Sequence, residues 1–196
     1  LDNPVDYEPD ISQCLGAKAG AAGVDPIDYL YDFLLEDGGT RFASLSAVDL
    51  PARMGVLQEM LLHPDTVTGL SDAGAHVTLI CDGSMPTTQL AYWTRDREKG
   101  EKIPIEFIVR KQTALNAQLY GFDDRGTLEM GKKADINVID MDNLRVSPPI
   151  PHHDLPTGGT RLMQPVTGYI NTLCNGTSAR EFDQDTGERP GRLVRS

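Results

Sequence analysis

Between Asp25 and Gly39 apolar residues recur at helical spacing, with Ile27, Leu30, Tyr31 and Leu34 on one face. Asp25 stands where a cap belongs, Pro26 fits the first turn and Gly38-Gly39 closes the run, so a helix is predicted there. The preceding residues 1–24 mix Pro, Gly, Ala and acidic side chains without a sustained period and predict loop with one short helix. TRFASLSA at 40–47 alternates as a short strand would. Asp49 and Pro51 then open a second helix with Met54, Leu57, Leu61 and Leu62 as its apolar stripe, stopped at His63-Pro64 because a residue before proline leaves the α region. TVTGLS at 66–71 has the β-branched content of a strand, and it leads through the turn DAGAH into a second β-rich run, VTLIC at 77–81. Helix alternating with strand is the pattern of βα units around a parallel sheet.

Two more helices are expected, one over about 87–99 with Leu90 and Trp93 inward, and one from Pro104 to Gly121 carrying Ile105, Ile108, Val109, Leu115 and Leu119. Beyond Gly121 the period changes to two. ADINVID at 134–140 and VTGYINTLC at 166–174 read as strands, and Asn175-Gly176 after the second is a two-residue hairpin turn. SPPIPHHDLPTGG at 147–159 reads as an irregular connection and GERPGRLVR as an exposed tail. No internal repeat is present.

The chain has 196 residues, enough for one moderate domain or one domain and part of another. Its net charge of −11 disfavours phosphate backbones and anionic lipid, so neither nucleic acid nor a membrane surface is expected as a partner. No apolar stretch approaches the ~20 residues that span a bilayer. The opening LDNPVDYEPD lacks the basic and apolar regions of a signal peptide, and with no initiator Met it suggests a processed or truncated chain. Cys14, Cys81 and Cys174 are far apart and odd in number, which indicates reduced thiols and a cytoplasmic setting rather than a disulfide framework or zinc knuckle.

Chemistry is best placed in GLSDAGAH at 69–76, where Asp72 follows a predicted parallel strand, the end at which α/β active sites lie. A carboxylate among small residues there can ligate a metal and take a proton from water, or simply cap the next turn. His76 is either a substrate or supporting contact or a hydrogen-bonded structural residue. His152, His153 and Asp154 have ligand chemistry but sit adjacent in a Pro-flanked loop, without HxH or HExxH spacing. Ser71 lacks a GxSxG elbow and a recognisable base, Cys81 reads as a buried structural thiol, and TRDREKGEK at 94–102 reads as the solvated end of a helix.

HPDTVTGLSDAGAHVTLICDGSMPTTQLAYWTRDREKGEKIP, TALNAQLYGFDDRGTLEMGKKADINVID, DLPTGGTRLMQPVTGY and TGERPGRLVR, in that order, resemble the C-terminal part of the D-aminoacylase (N-acyl-D-amino-acid deacylase) branch of the amidohydrolase superfamily. The resemblance runs from about residue 5 to the end. It implies an α/β fold: the C-terminal βα units of a metal-dependent (β/α)8 barrel over residues 1–122, with the last barrel strand near 66–72, then strands of a small β-sandwich and a tail over 123–196. It implies one or two zinc ions in the intact enzyme. Asp72 matches the aspartate that contacts the metal, deprotonates the attacking water and passes the proton to the leaving amine. Gly74 and His76 belong to the same motif and would shape that loop, whereas His152 and His153 fall at the family's DLP turn.

The family's first-strand HxH, its bridging Cys or carboxylate and its mid-barrel histidines are expected upstream of Leu1. The chain is therefore expected to be an inactive fragment by itself, completed by a missing N-terminal barrel segment or an oligomeric partner, with a small N-acyl amino acid as substrate. Two alternatives stay open: a non-catalytic assembly module pairing through strand edges, and a dihydroorotase-like or hydantoinase-like cyclic-amide hydrolase.

Overall fold

The computed structural model describes residues 6–43, 50–69 and 71–194. The chain forms two compact units, Leu1–Pro64 and Asp65–Ser196.

The first unit is helical. Asp10 caps a 3-10 turn at Ile11–Gln13, α1 spans Leu15–Ala22 and ends on Gly23 at φ +69°, and α2 spans Pro26–Gly39. The Asp25 carboxylate accepts from the Ile27 amide at 2.8 Å, as the cap reading expects, and helical geometry gives way at Glu36 to Gly38. Helix α3 spans Leu50–Leu62 and stops before His63-Pro64. The strand expected at 40–47 is absent over 40–43, and its remainder, like Asp49, lies outside the described residues.

In the second unit no strand forms at the described residues of 66–71 and 77–81. Residues 66–69, 71 and 72 belong to no sheet, and 77–79 form a turn. A strand exists only by pairing, and every ladder among the described residues is antiparallel and lies beyond residue 135. At VTLIC the chain is turned by His76, at φ +44°, whose carbonyl accepts from the Leu79 amide at 2.7 Å and the Ile80 amide at 3.0 Å. No barrel closes among the described residues, and the content is mixed helix and sheet.

A 3-10 turn at Asp82–Ser84 leads into α4, Met85–Ala91, which widens into a π turn over Tyr92–Asp96. The Thr94 hydroxyl, bonded back to the Leu90 carbonyl at 2.6 Å, accompanies that widening. The helix expected over 104–121 is two: α5 at Ile105–Gln112 and α6 at Ala114–Leu119, broken at Thr113 (φ −119°, ψ −83°). Leu90, Ala91, Trp93, Ile103, Ile108, Ala117 and Leu144 form the buried apolar set of this unit.

The β-rich end follows the period-two reading. Strands β1 (Ile136–Ile139), β6 (Tyr169–Cys174), β7 (Thr177–Glu181) and β8 (Gln184–Asp185) form one antiparallel sheet in the order β1-β6-β7-β8. Asn175 at φ +51° and Gly176 at φ +80° make the hairpin turn between β6 and β7. Strands β2 (Arg145–Val146) and β5 (Val166–Thr167) pair as a ribbon. The Pro-rich connection contains another, β3 (Ile150–His152) with β4 (Arg161–Met163); proline is tolerated because a two-stranded ribbon leaves an edge on each strand. Among the described residues no helix is long and apolar enough to cross a membrane.

Candidate functional site

Asp72 lies on the exposed loop that joins the 66–69 segment to the 73–79 turns. Its amide donates to Asp82 Oδ2 at 3.3 Å and its carbonyl accepts from the Ala75 amide at 3.0 Å. Among the described residues no hydrogen bond or ion pair engages its carboxylate. The loop thus holds the Asp72 backbone by two hydrogen bonds and leaves its carboxylate exposed.

Gly74 sits in the same turn at φ +99°, a conformation that strains any L side chain, and Ser71 Oγ accepts from the Ala73 amide at 3.4 Å. His76 is exposed and serves the turn through its backbone. Beside Asp72, Asp82 turns Oδ2 to the loop, while its buried Oδ1 has no hydrogen-bond partner. Burial, and then the neighbouring Asp82 charge, push the Cys81 thiol up from its ordinary value, which disfavours the reactive thiolate.

Two side chains of the His152-His153-Asp154 group are engaged within this Pro-rich connection. Asp154 takes a two-pronged grip from Arg161 at 2.8 and 2.7 Å, which holds its carboxyl below the usual range, and His153 Nδ1 bonds Thr160 Oγ1 at 2.8 Å. Residues 94–102 are more than a solvated helix end. Arg95 donates to the Met141 carbonyl and, at 2.8 Å, to the Leu144 carbonyl, and Arg97 is buried 4.8 Å from the Trp93 ring centre.

Side chains that sequence spacing does not reveal support the Asp72 loop. Lys111 Nζ reaches Thr66 Oγ1 at 2.8 Å, and Asn116 Nδ2 reaches Thr68 Oγ1 at 2.9 Å. These partners are 45 and 48 residues apart, beyond any local motif.

The zinc centre implied by the resemblance is not met by these residues alone. Among the described residues no group of three or more His, Cys, Asp or Glu side chains is placed to hold a metal ion.

Comparison with known proteins gives the chain its relatives. The chain is 30% identical over 136 residues to uncharacterized proteins of Mycobacterium bovis and Mycobacterium tuberculosis, an overlap that covers 68% of this chain and 22% of each of them. It is 29% identical over 186 residues to the 5-methylthioadenosine/S-adenosylhomocysteine deaminase of Haloarcula marismortui, covering 88% of this chain and 39% of that protein. The chain therefore spans well under half the length of these curated relatives. No solved structure matches it. The sequence model of the amidohydrolase family matches residues 17–178, most of the chain, and the chain belongs to that family.

Proposed function

We propose that the chain is the C-terminal part of a hydrolase acting on carbon–nitrogen bonds, and that its substrate is an N-acyl-D-amino acid or a related linear amide. The observation that carries this reading is the Asp72 carboxylate, exposed and unengaged among the described residues on a loop whose backbone is held. Membership of the amidohydrolase family supports hydrolysis. The linear amide is supported by the resemblance of SDAGAH and the motifs after it to D-aminoacylases.

In this reading Asp72 takes a proton from the water that attacks the acyl carbon and delivers it to the nitrogen as the C–N bond breaks. One residue acts first as base and then as acid. The remaining barrel and the zinc donors would come from sequence or chains outside the described residues. Zinc dependence is a property to be measured, by loss of turnover on chelation and its return with added zinc.

A second reading has one observation in its favour, the similarity to a deaminase across 88% of this chain. Hydrolytic deamination would use the same proton transfer, with ammonia as the product.

Purified full-length protein offered N-acetyl-D-amino acids and, separately, 5-methylthioadenosine distinguishes the two. Release of free D-amino acid supports the first reading, and release of ammonia from the nucleoside alone replaces it with the second. Loss of the Asp72 carboxylate in Asp72→Asn should lower kcat by about 10²–10⁴ with the fold retained. Turnover within a few-fold of wild type would remove Asp72 from the chemistry.

A further inference from the structure

The 66–69 segment that leads to Asp72 lies in no sheet, and α5 and α6 hold it instead. Lys111 is 1% exposed, and its Nζ donates to the Thr66 hydroxyl at 2.8 Å. Two residues along, the Thr68 hydroxyl donates to the Lys111 carbonyl at 3.4 Å and accepts from Asn116 Nδ2 at 2.9 Å. An uninterrupted helix would commit the Lys111 carbonyl to the amide of Leu115, so the break at Thr113 is what turns it to Thr68. One residue therefore grips the segment twice, by its ammonium and by its carbonyl.

Burying an ammonium is costly where an apolar side chain of similar length is not, and the Phe107 ring, 5.6 Å from Nζ, would pack against either. Lys donates a hydrogen bond to Thr66 that Met cannot make. Asp82 Oδ2 accepts from the Asp72 amide at 3.3 Å and adds a second hold on the loop.

We propose that Lys111 is a positioning residue for Asp72, fixing residues 66–69 and through them the loop that presents the carboxylate. The catalytic consequence rests on the role of Asp72 given under Proposed function; the mechanical grip does not.

Amide hydrogen exchange at Asp72 and Ala75 tests the grip in the purified full-length protein, with turnover and Tm measured alongside. In Thr66→Val, which keeps the shape and removes the hydroxyl, and in Lys111→Met, exchange at these amides should rise about tenfold. Thr66→Ser, with the hydroxyl restored, should exchange as wild type does. Turnover should fall about tenfold in kcat with KM within about twofold, since substrate binding is not the affected step. Unchanged exchange in folded Thr66→Val overturns the proposal, and so does a lowered Tm with exchange unchanged in this loop and kcat per folded molecule intact. Should Lys111→Met fail to fold, Thr66→Val decides alone. A wild-type protein without hydrolytic turnover would defeat the functional reading, while the exchange result would still decide the grip.

Discussion

Gly168 shows how one residue ties the β-rich end together. It stands between β5 and β6 at φ +106°, its amide donates to Asp183 Oδ2 at 3.1 Å, and its carbonyl accepts from the Asp140 amide at 2.8 Å. A Cβ there would come within 2.7 Å of Leu144 Cα and 2.9 Å of Leu144 N, and backbone cannot step aside as a flexible side chain can. Strained φ and this overlap act together, so Gly168→Ala should cost about 2 kcal/mol or more in urea unfolding. A loss under half of that would mean the strand junction adjusts freely. The Arg125 guanidinium at 2.9 Å and the Lys133 ammonium at 3.0 Å hold the Asp124 carboxyl down from 3.8 to about 2. Because the folded value is the lower one, the contribution is complete above the ordinary value and is lost as pH falls through about 2. Asp124→Asn should therefore narrow the stability difference between neutral and strongly acid solution. The effect should be small, as an exposed pair's is, and a side-chain NMR titration of Asp124 checks its midpoint.

At the scale of elements, the legible parts were those whose determinants are local. Helix α2 needed only the Asp25 cap, Pro26 and the apolar face that begins at Ile27, and the β6–β7 turn needed only Asn175-Gly176. At 66–69 no strand forms, because β-branched residues state a preference for strand and not the presence of a partner. The helix expected over 104–121 is interrupted because the backbone leaves helical geometry at Thr113, and that break depends on contacts the periodicity does not contain. Where the determinant is local, its removal should act locally. Asp25→Ala takes away the acceptor for the Ile27 amide and should cost about 1 kcal/mol, seen as about fivefold faster amide exchange within α2. Exchange in α2 equal to wild type would show that packing, and not the cap, sets the stability of that helix.

For the whole molecule, the motif around Asp72 could be read from the chain, while its support could not. Asp72, Gly74 and His76 are neighbours in sequence, but Lys111 and Asn116 meet Thr66 and Thr68 only through folding. Among the described residues Leu128, Met130, Leu79, Phe182 and Ile27 are 82%, 104%, 76%, 74% and 71% exposed, whereas the buried apolar set is nine residues, several of them alanines. Single exposed apolar side chains are ordinary, but so many beside so small a core favour association. Opposing this is a net charge of −11, which makes copies of the chain repel one another over a distance that shrinks to ~10 Å at 0.1 M salt. Self-association of the purified 196-residue chain should thus strengthen as salt is added, the opposite of an assembly held by ion pairs. Sedimentation velocity across a range of concentration and salt measures this directly. A folded monomer at every condition would show that these side chains are tolerated in water, and weakening with salt would assign the association to charge.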